Sequence, residues 1–293
     1  MIVLPGPASP RLASHVAAEL EAKLIPVFFK KFPDGESYLR IEGNVKDEDA
    51  AIVQTTSPPQ DERIMQLFLL ASAARSNGAR SITAVVPYFA YSRQDKIFLP
   101  GEAFSAQTVV KLLSTCGVTR IITMNAHNPT VFKHFEVPVK DLSAISTLAQ
   151  HFKNKGYAGA VSLSMGKKGL ATAQEAANVL EGPADYIPTQ RDRHTGKVTI
   201  EEKPLEVNGK VAIIFDDIIS SGGTMIKAVA HTKKQGATKV YAACVHPLLM
   251  ADAREKIAQS GADGIVGTDS VPSPVSVVSV APLVAKALME KGA

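Results

Sequence analysis

Features that define several protein classes are scarce in this sequence of 293 residues. It has two cysteines, Cys116 and Cys244, which lie far apart and show no Cys/His spacing typical of metal ligands. This argues against a disulfide scaffold and against a zinc site. No run of five or more basic residues occurs, and the formal net charge is only +4. A dedicated nucleic-acid surface is therefore not indicated, and anionic small molecules suit the charge better.

Long apolar runs are also missing. No stretch reaches the roughly 18 apolar residues that a membrane span needs, and the N-terminal stretch has no basic segment followed by a long apolar one. We therefore expect no membrane association and a cytoplasmic location. The 45% hydrophobic and 20% charged residues are typical of a globular protein with two ordinary domains or one large one.

Short apolar, β-branched runs alternate with longer segments of helical periodicity along the first half of the chain. Strands are predicted at 50–55, 81–88 and 120–126. The helical segments between them end at Asn77-Gly78 and at Gly117, which are good C-terminal stop signals. This alternation predicts an α/β fold built from βαβ units around a mostly parallel sheet.

The second half repeats the theme. Its predicted strands are 158–164, 210–215, 239–246 and 264–268, and its predicted helices are 169–180, 224–236 and 250–261. An extended piece interrupted by Pro138 separates the halves, so we predict two domains, 1–142 and 143–293, each a mostly parallel sheet flanked by helices. The polar segment 182–208 contains three prolines and is predicted to be an exposed hairpin or a mobile flap.

The stretch VAIIFDDIISSGGTMIKAV, residues 211–229, predicts a ligand site. An apolar strand runs into Asp216 and Asp217, which repel each other and lose hydration at a core edge unless a partner holds both. The turn that follows opens a helix, where backbone N–H groups and hydroxyls suit a phosphate dianion. The residues of this predicted phosphate cradle are Ser220, Ser221, Gly222, Gly223 and Thr224.

The acids in front of the cradle suit the two vicinal hydroxyls of a furanose, a sugar's length from the phosphate. The ligand predicted from these residues is a pentose 5-phosphate. The turn is neither a lysine-bearing nucleotide P-loop nor a GxGxxG motif. The alternative is a tight strand-to-helix turn with a solvated acidic pair, but two acids, three hydroxyls and two glycines coincide within nine residues.

The segment FDDIISSGGT resembles the phosphoribosyl-diphosphate loop that type I phosphoribosyltransferases share with the phosphoribosyl-diphosphate synthetases, or ribose-phosphate diphosphokinases. Three more stretches are similar to the synthetases: KKFPDGESYLRI (30–41), VVPYFAYSRQDKIFLPGEAFSAQ (85–107) and MNAHNPTVFKHFEVPVKDLSA (124–144). The resemblance covers nearly the whole chain in order. It implies two tandem type I phosphoribosyltransferase-like domains. It also implies transfer of the β,γ-diphosphoryl group of MgATP to O1 of ribose 5-phosphate, a reaction of nucleotide biosynthesis that gives 5-phosphoribosyl 1-diphosphate and AMP.

The resemblance also implies roles for individual residues. Arg93 and Gln94 would touch ATP, and a planar cation beside a carboxamide suits a polyphosphate ligand. His127 would help to hold the catalytic Mg²⁺, although Mg²⁺ prefers oxygen ligands. Without the resemblance these would be read as a surface cation and a core or surface histidine. The adenine would be contacted from a neighbouring subunit, which implies a homo-oligomer, by Phe32, Asp34 and Glu36.

Two segments depart from the synthetase pattern. Synthetases carry a Pro-Asp-x-Gly-Gly/Ala turn after the first strand of the second domain. Here SLSMGKKGLATAQEA places Met165 and Gly166 at the Pro-Asp position, so the aspartate is missing. Lys167 and Lys168 follow and add positive charge where the family has an acid.

The second departure lies in the predicted flap, where the family has a Lys-x-Arg pair. Here Thr189 stands at the lysine position and Arg191 is retained. Arg193 or Lys197 would replace the lysine only if the loop folds differently. Losing a cation that stabilises the transition state costs on the order of 2.7 to 4 kcal/mol, about a hundredfold to a thousandfold in rate. The catalytic charge is therefore expected from Arg191, Arg193, Lys167 and Lys168.

Three functions are compatible with these features. The first is an active synthetase with altered flap chemistry, and it is the one we favour. The second is a catalytically impaired homologue that binds nucleotide or ribose 5-phosphate as a regulatory or partner subunit, in a mixed oligomer with an active homologue. The third is a phosphoribosyltransferase, which would need only one such domain and no Arg93-Gln94 segment.

Overall fold

A computed structural model describes residues 1–126, 128–129, 132, 135–191 and 198–290. It contains two compact units. The first unit comprises Met1–Leu142, Ser270–Pro272 and the segment from Ser279 onward, and the second comprises Ser143–Asp269 and Ser273–Val278. Within the described residues, no helix combines the length and the apolar character that crossing a membrane requires.

The first unit is built from alternating strands and helices. In chain order they are β1 (Ile2–Pro5), α1 (Pro10–Glu19), β2 (Lys23–Leu24), β3 (Val27–Lys31), β4 (Ser37–Ile41), β5 (Asp49–Val53), α2 (Gln60–Ser76), β6 (Ser81–Val85), α3 (Ser105–Thr115), β7 (Arg120–Met124) and β8 (Val139–Leu142). Six strands form a parallel sheet in the order β2-β1-β5-β6-β7-β8, and β3 and β4 form a separate antiparallel hairpin.

The second unit repeats this design. Its elements are α4 (Ile145–Asn154), β9 (Val161–Met165), α5 (Leu170–Leu180), β10 (Ala184–Ile187), β11 (Thr189–Arg191), β12 (Val198–Ile200), β13 (Val211–Ile219), α6 (Gly223–Lys234), β14 (Lys239–Pro247), α7 (Ala253–Gln259), β15 (Gly264–Thr268) and β16 (Ser276–Val278). Its parallel sheet has the order β10-β9-β13-β14-β15-β16, and β11 and β12 pair as an antiparallel hairpin.

The central strands read as nearly continuous apolar runs because helices cover both faces of each sheet. In β13 the residues from Ala212 to Phe215 are all buried. Ala212 and Ile214 belong to a core that also contains Met225 and Val229 of α6. On the other face, the ring of Phe215 packs edge-on against Phe152 of α4 at a centroid distance of 6.2 Å. The α/β architecture with two parallel sheets is as the sequence predicts.

Helix signals also act where the sequence places them. Asp61 and Glu62 lie in the first turn of α2 and Arg75 in its last turn, so each complements the helix dipole. The helix ends at Asn77, and Gly78 takes a positive φ of 84°. Such a left-handed residue after the last turn is where glycine is favoured.

The sequence-based prediction for residues 182–208 is wrong in its first part. Residues Ala184–Ile187 are not an exposed loop but the parallel edge strand β10, paired with β9. Ile187, Leu205 and Val207 are buried in the core of the second unit. Among the described residues of this segment, only the β11–β12 hairpin corresponds to the expected flap. The apolar positions anchor the segment at both ends, which the prolines concealed.

The C-terminal helix α8 (Ala281–Met289) groups with the first unit, whereas the sequence placed all of 143–293 in the second domain. The guanidinium of Arg120, at the start of β7, donates hydrogen bonds to the carbonyl oxygens of Ala287 at 3.0 Å and Glu290 at 3.2 Å. The ammonium of Lys140 on β8 pairs with the Glu290 carboxylate. These cations satisfy the carbonyls and the negative dipole at the C-terminal end of α8.

Arg120→Ala tests this attachment. The substitution removes two charge-assisted hydrogen bonds, so we expect the free energy of unfolding to fall by about 1 to 3 kcal/mol. Chemical denaturation measures the change. Arg11→Ala, an exposed arginine on α1, is the control and should leave stability nearly unchanged. Equal stability of the two variants would contradict the role given to Arg120.

Candidate active site

Both sheets share one strand order when each is numbered in its own chain order, 2-1-3-4-5-6. In such sheets the connections leave in opposite directions on either side of the first strand, and ligands bind outside the carboxyl ends of the strands at this switch point. In the second unit the switch point lies between β9 and β13. The turn at Gly166, which departs from the synthetase pattern, follows β9. The segment from Asp216 to Thr224, which begins with the acidic pair, lies at the end of β13. The two segments therefore flank the switch point.

Strand β13 is longer than predicted. It continues past Phe215 to Ile219 because β14 extends beside it to Pro247, with Asp216 opposite Cys244 and Ile218 opposite His246. The two aspartates therefore lie inside the strand, not after it.

Local hydrogen bonds hold both carboxylates. The N–H of Asp217 donates to Asp216 Oδ1 at 2.9 Å, and the N–H of Ile218 donates to Asp217 Oδ1 at 2.8 Å. Both side chains are half-buried. The two carboxylates also affect a core residue. The pKa of the fully buried Cys244 thiol is raised, first by burial and then by the charges of Asp216 and Asp217. Cys244 is thus a neutral thiol beneath the acidic pair.

The turn after β13 is shaped by two glycines in different ways. Gly222 has φ 76° and ψ −5°, and a Cβ there would lie 3.1 Å from Ile257 Cδ1 and 3.3 Å from Ala253 Cβ of α7. Gly223 has no atom within 4 Å of the position that a Cβ would take. The first glycine therefore lets the turn pack against α7, and the second leaves open space at the N-terminus of α6.

The remaining cradle residues border this space. Ser220 and Thr224 are half-buried and Ser221 is exposed. The carbonyl of Ser220 accepts the N–H of Met250 at 3.0 Å, which ties the turn to the chain after β14. The arrangement offers helix N-terminal N–H groups and hydroxyls to an anion.

The two positions that depart from the synthetase pattern are neighbours. Gly166 adopts φ 70° and ψ 158°, and a Cβ on it would lie 3.1 Å from Thr189 Oγ1. Its N–H donates to the carbonyl of Ile187 at 2.8 Å, which fixes the turn to β10. That combination of φ and ψ is essentially restricted to glycine. Nothing in the sequence shows that the turn and the base of the flap touch.

Lys167 and Lys168 form a short 3-10 turn between Gly166 and α5, and both side chains are exposed. They add positive charge at the N-terminal end of α5. The backbone of Arg191 lies in β11, two residues beyond Thr189. Arg193 and His127, the histidine that the resemblance predicts as a metal ligand, lie outside the described residues.

In the first unit, the predicted adenine-contacting residues lie at the tip of the β3–β4 hairpin. The N–H of Phe32 donates to the carbonyl of Glu36 at 2.8 Å, and the N–H of Glu36 donates to Asp34 Oδ1 at 3.2 Å. The ring of Phe32 is 37% exposed, with the Lys30 ammonium 4.6 Å from its centroid. The tip therefore presents an aromatic face with charges of both signs.

Arg93 and Gln94 lie on the loop between β6 and α3. Arg93 is exposed and Gln94 is half-buried. The backbone of Gln94 is held on both sides, because its N–H donates to Tyr91 at 2.9 Å and its carbonyl accepts from Ala106 at 3.3 Å. Its side-chain Nε2 donates to Glu102 Oε2 at 3.3 Å. Gln94 is thus more rigidly placed than Arg93.

Sequence reasoning missed the element that links these two segments. Glu62 in the first turn of α2 pairs with Lys31 of the hairpin at 2.7 Å, and Asp61 accepts a hydrogen bond from the Tyr91 hydroxyl. Among the described residues, no hydrogen bond or ion pair joins the hairpin tip to Arg93 or Gln94. Two acids after Pro58-Pro59 were a readable helix start, but their side-chain partners were not.

In the first unit, a buried side chain occupies the switch point of the sheet. The N–H of Ala8 donates to the buried Gln54 Oε1 at 2.9 Å, and a Cβ on Gly6 would lie 2.2 Å from that same oxygen. Gln54 Nε2 in turn donates to Gln66 and to the carbonyl of Arg63. A side chain here occupies the place that glycines leave open in the second unit.

Comparisons with known proteins agree with this architecture. The family profile of the N-terminal domain of ribose phosphate pyrophosphokinase matches residues 1–117, and the profile of the phosphoribosyl synthetase-associated domain matches residues 166–285. A ribose-phosphate pyrophosphokinase from Methanothermobacter thermautotrophicus is 38% identical over 97% of this chain and 98% of its own length. The corresponding protein from Saccharolobus solfataricus is 37% identical over 92% of this chain and 93% of its own.

The chain belongs to the ribose-phosphate pyrophosphokinase family. Among solved structures, phosphoribosylpyrophosphate synthetase from Mycobacterium smegmatis is similar with a TM-score of 0.85 and 30% identity, covering 99% of both chains. The likeness to ribose-phosphate pyrophosphokinases thus includes both units. The family assignment and the fold class expected from the sequence are confirmed.

The contact between Gly166 and Thr189 leads to a prediction about restoring the family's residues. Because only glycine readily adopts the Gly166 conformation, Gly166→Asp should lower the free energy of unfolding by about 1 to 3 kcal/mol. Thr189→Lys, at a half-exposed strand position, should be nearly neutral. Thermal unfolding of the two variants and the parent tests this. If Gly166→Asp is as stable as the parent, the glycine conformation does not constrain the turn.

Proposed function

We propose that this chain catalyses the transfer of the β,γ-diphosphoryl group of MgATP to O1 of ribose 5-phosphate, giving 5-phosphoribosyl 1-diphosphate and AMP. The observation that carries this proposal is a likeness to ribose-phosphate pyrophosphokinases that extends over 97% of the chain and includes both units. A phosphoribosyltransferase would need only the second unit. The proposal therefore accounts for residues 1–142, which the alternative leaves without a role.

In this reaction a lone pair of O1 attacks the β-phosphorus, and the bond from that phosphorus to the oxygen bridging to the α-phosphate breaks. AMP leaves with the bonding electron pair, and O1 loses its proton to water or to a base. The site must therefore hold O1 and the β-phosphorus in line and offset the charge of a triphosphate. Positioning and electrostatic stabilisation supply most of the rate enhancement in such transfers.

Ribose 5-phosphate is assigned to the carboxyl end of β13. The open space at Gly223 and the N–H groups and hydroxyls from Ser220 to Thr224 suit its phosphate. Asp216 and Asp217 are acceptors for its ring hydroxyls, which are donors. The lysine turn at 167–168 and the arginines of the flap, Arg191 and Arg193, are the cations assigned to the transferring phosphates.

ATP is assigned to the first unit. Arg93 supplies a planar cation for the polyphosphate, and Gln94 supplies a polar contact to the nucleotide. The hairpin tip with Phe32, Asp34 and Glu36 is exposed, which suits contact with an adenine held by a second copy of the chain. We therefore propose a homo-oligomer in the cytoplasm, and a mixed oligomer with an active homologue if the chain itself is inactive.

Magnesium fits the residues present if substrate phosphates supply most of its ligands. Among the described residues, no group of three His, Cys, Asp or Glu side chains is placed to hold a metal ion. Mg²⁺ commonly binds through one or two carboxylates, phosphates and waters. Asp216 and Asp217 are candidate carboxylates, and His127 stays a proposal. When bound, Mg²⁺ would neutralise charge on the triphosphate.

An AMP-forming assay with MgATP and ribose 5-phosphate tests the proposed activity, with equilibrium binding of each substrate measured in parallel. We expect turnover that requires both substrates. Binding of both substrates without AMP formation at high enzyme concentration would instead support the impaired homologue. Failure to bind ribose 5-phosphate would contradict the site assignment.

The double variant Asp216→Asn with Asp217→Asn should weaken ribose 5-phosphate binding about tenfold to a hundredfold, because hydrogen bonds to charged groups contribute about 1.5 to 3 kcal/mol. ATP binding should stay largely unchanged. Asp252→Asn, an exposed acid at the start of α7, is the control. An equal loss of both substrates in the double variant would show that the two units do not divide the ligands as proposed.

A further inference from the structure

Glu102 is a half-buried loop acid to which the sequence assigned no role, yet its carboxylate organises the segment that carries Gln94. Glu102 Oε2 accepts the backbone N–H groups of Phe98 at 2.8 Å and Leu99 at 3.0 Å. It also accepts Nε2 of Gln94 at 3.3 Å. The backbone N–H of Glu102 donates back to the carbonyl of Leu99 at 3.2 Å. One carboxylate thus closes the loop between Gln94 and Glu102.

These contacts favour the ionised form of Glu102. The N–H groups of Leu99 and then of Phe98 hold the pKa of this carboxyl below its usual range. An ionised carboxylate accepts hydrogen bonds and donates none. The end of the Gln94 carboxamide that faces Glu102 must therefore be its NH₂ group, whatever the ambiguity of amide orientation in general.

The opposite end of the carboxamide is then determined as well. With Nε2 directed at Glu102, Gln94 presents Oε1, which is an acceptor only. In the described part of the chain, no N–H or O–H group is hydrogen-bonded to this oxygen. The main chain of Gln94 is held at Tyr91 and Ala106 and its Nε2 is held at Glu102, so Oε1 has little freedom to turn elsewhere.

An oriented acceptor distinguishes among the groups of a nucleotide. It would be repelled by phosphate oxygens and would meet a second acceptor at the 6-keto group of hypoxanthine or guanine. The 6-amino group of adenine is a donor and makes the hydrogen bond. A site that aims a polar group at one ligand group rejects analogues that lack it.

We propose that Glu102 is a positioning residue that fixes the Gln94 carboxamide with Oε1 toward the nucleotide base, and so selects a base with an exocyclic amino group over one with a keto group. This rests on the proposed function only in placing Gln94 at the nucleotide. The arginine beside it, Arg93, is left to the phosphates. The proposal deepens the ATP assignment by naming what distinguishes ATP from other purine triphosphates.

Equilibrium binding of ATP and of ITP, in Mg²⁺ and without ribose 5-phosphate, tests the proposal. ITP differs from ATP by a keto group in place of the amino group. In the parent the dissociation constant for ITP should exceed that for ATP by at least about tenfold, the value of one hydrogen bond. Glu102→Ala frees the carboxamide to turn, so this ratio should fall toward one, mainly through weaker ATP binding and unchanged or stronger ITP binding.

Two further variants separate orientation from loop stability. Glu102→Gln keeps an oxygen that can accept the same N–H groups, so it should retain more of the discrimination than Glu102→Ala. Gln94→Ala should abolish the discrimination, and adding Glu102→Ala to it should then change the ratio no further. Glu19→Ala, an exposed acid on α1, is the control and should leave both constants unchanged.

An equal loss of ATP and ITP affinity in Glu102→Ala would overturn the proposal, since a purely structural role affects both nucleotides alike. Discrimination that survives Gln94→Ala would overturn it as well. Because no step requires turnover, the result is independent of the AMP assay. Selective nucleotide binding without AMP formation would contradict the proposed activity and support this inference. AMP formation together with an unchanged ratio of the ITP and ATP dissociation constants in Glu102→Ala would support the activity and contradict the inference.

Discussion

The candidate site of the second unit depends on the continued pairing of two strands at the end of its sheet. Strands β13 and β14 remain paired past the core, from Phe215 to Ile219 on one and from Ala243 to Pro247 on the other. Pairing continues at Asp216, opposite Cys244, and at Ile218, opposite His246, and so fixes where the following turn begins. Without it, the acids and the cradle from Ser220 to Thr224 would be a flexible loop. With it, the acids lie in the last residues of β13 and the cradle follows directly, at the switch point of the sheet.

The two units share one sheet topology but differ in the residues at the switch point. In the second unit, Gly222 packs closely against Ala253 and Ile257, and Gly223 borders open space. In the first unit, the equivalent position is closed by the buried side chain of Gln54, which bonds to Ala8 and to Gln66. A parallel sheet of this order supplies a place for a ligand, and the side chains at the strand ends decide whether it is used.

Much of the fold was readable from the sequence, because apolar periodicity and glycine stops act locally. The helix end at Gly78 and the boundaries of β15 agree with the pattern. The extent of β13 was not readable, because its last residues are strand only by pairing with β14. Edge strand β10 was hidden by nearby prolines, and the return of α8 to the first unit depends on Arg120, a contact distant in sequence.

The candidate site shows the same division. The acidic pair and the glycine turn could be recognised from the order of residue types in the sequence. The comparisons with known proteins confirm the family that these residues resemble. The contact of Gly166 with Thr189 joins residues 23 positions apart and links both departures from the family pattern in one place. Likewise, the orientation of Gln94 is determined by Glu102, a residue that no periodicity or composition distinguishes. Such pairings are tertiary and appear only when the chain is folded.

The central claim is that the carboxyl end of β13 binds ribose 5-phosphate. A titration of the ¹⁵N-labelled chain with ribose 5-phosphate, followed by amide chemical shifts, tests it most directly, with unphosphorylated ribose as the control. The account predicts that the largest shifts occur at Ser220 to Thr224 and that ribose alone produces much smaller ones there. If the resonances of these five amides do not shift while those of other segments do, the account is contradicted.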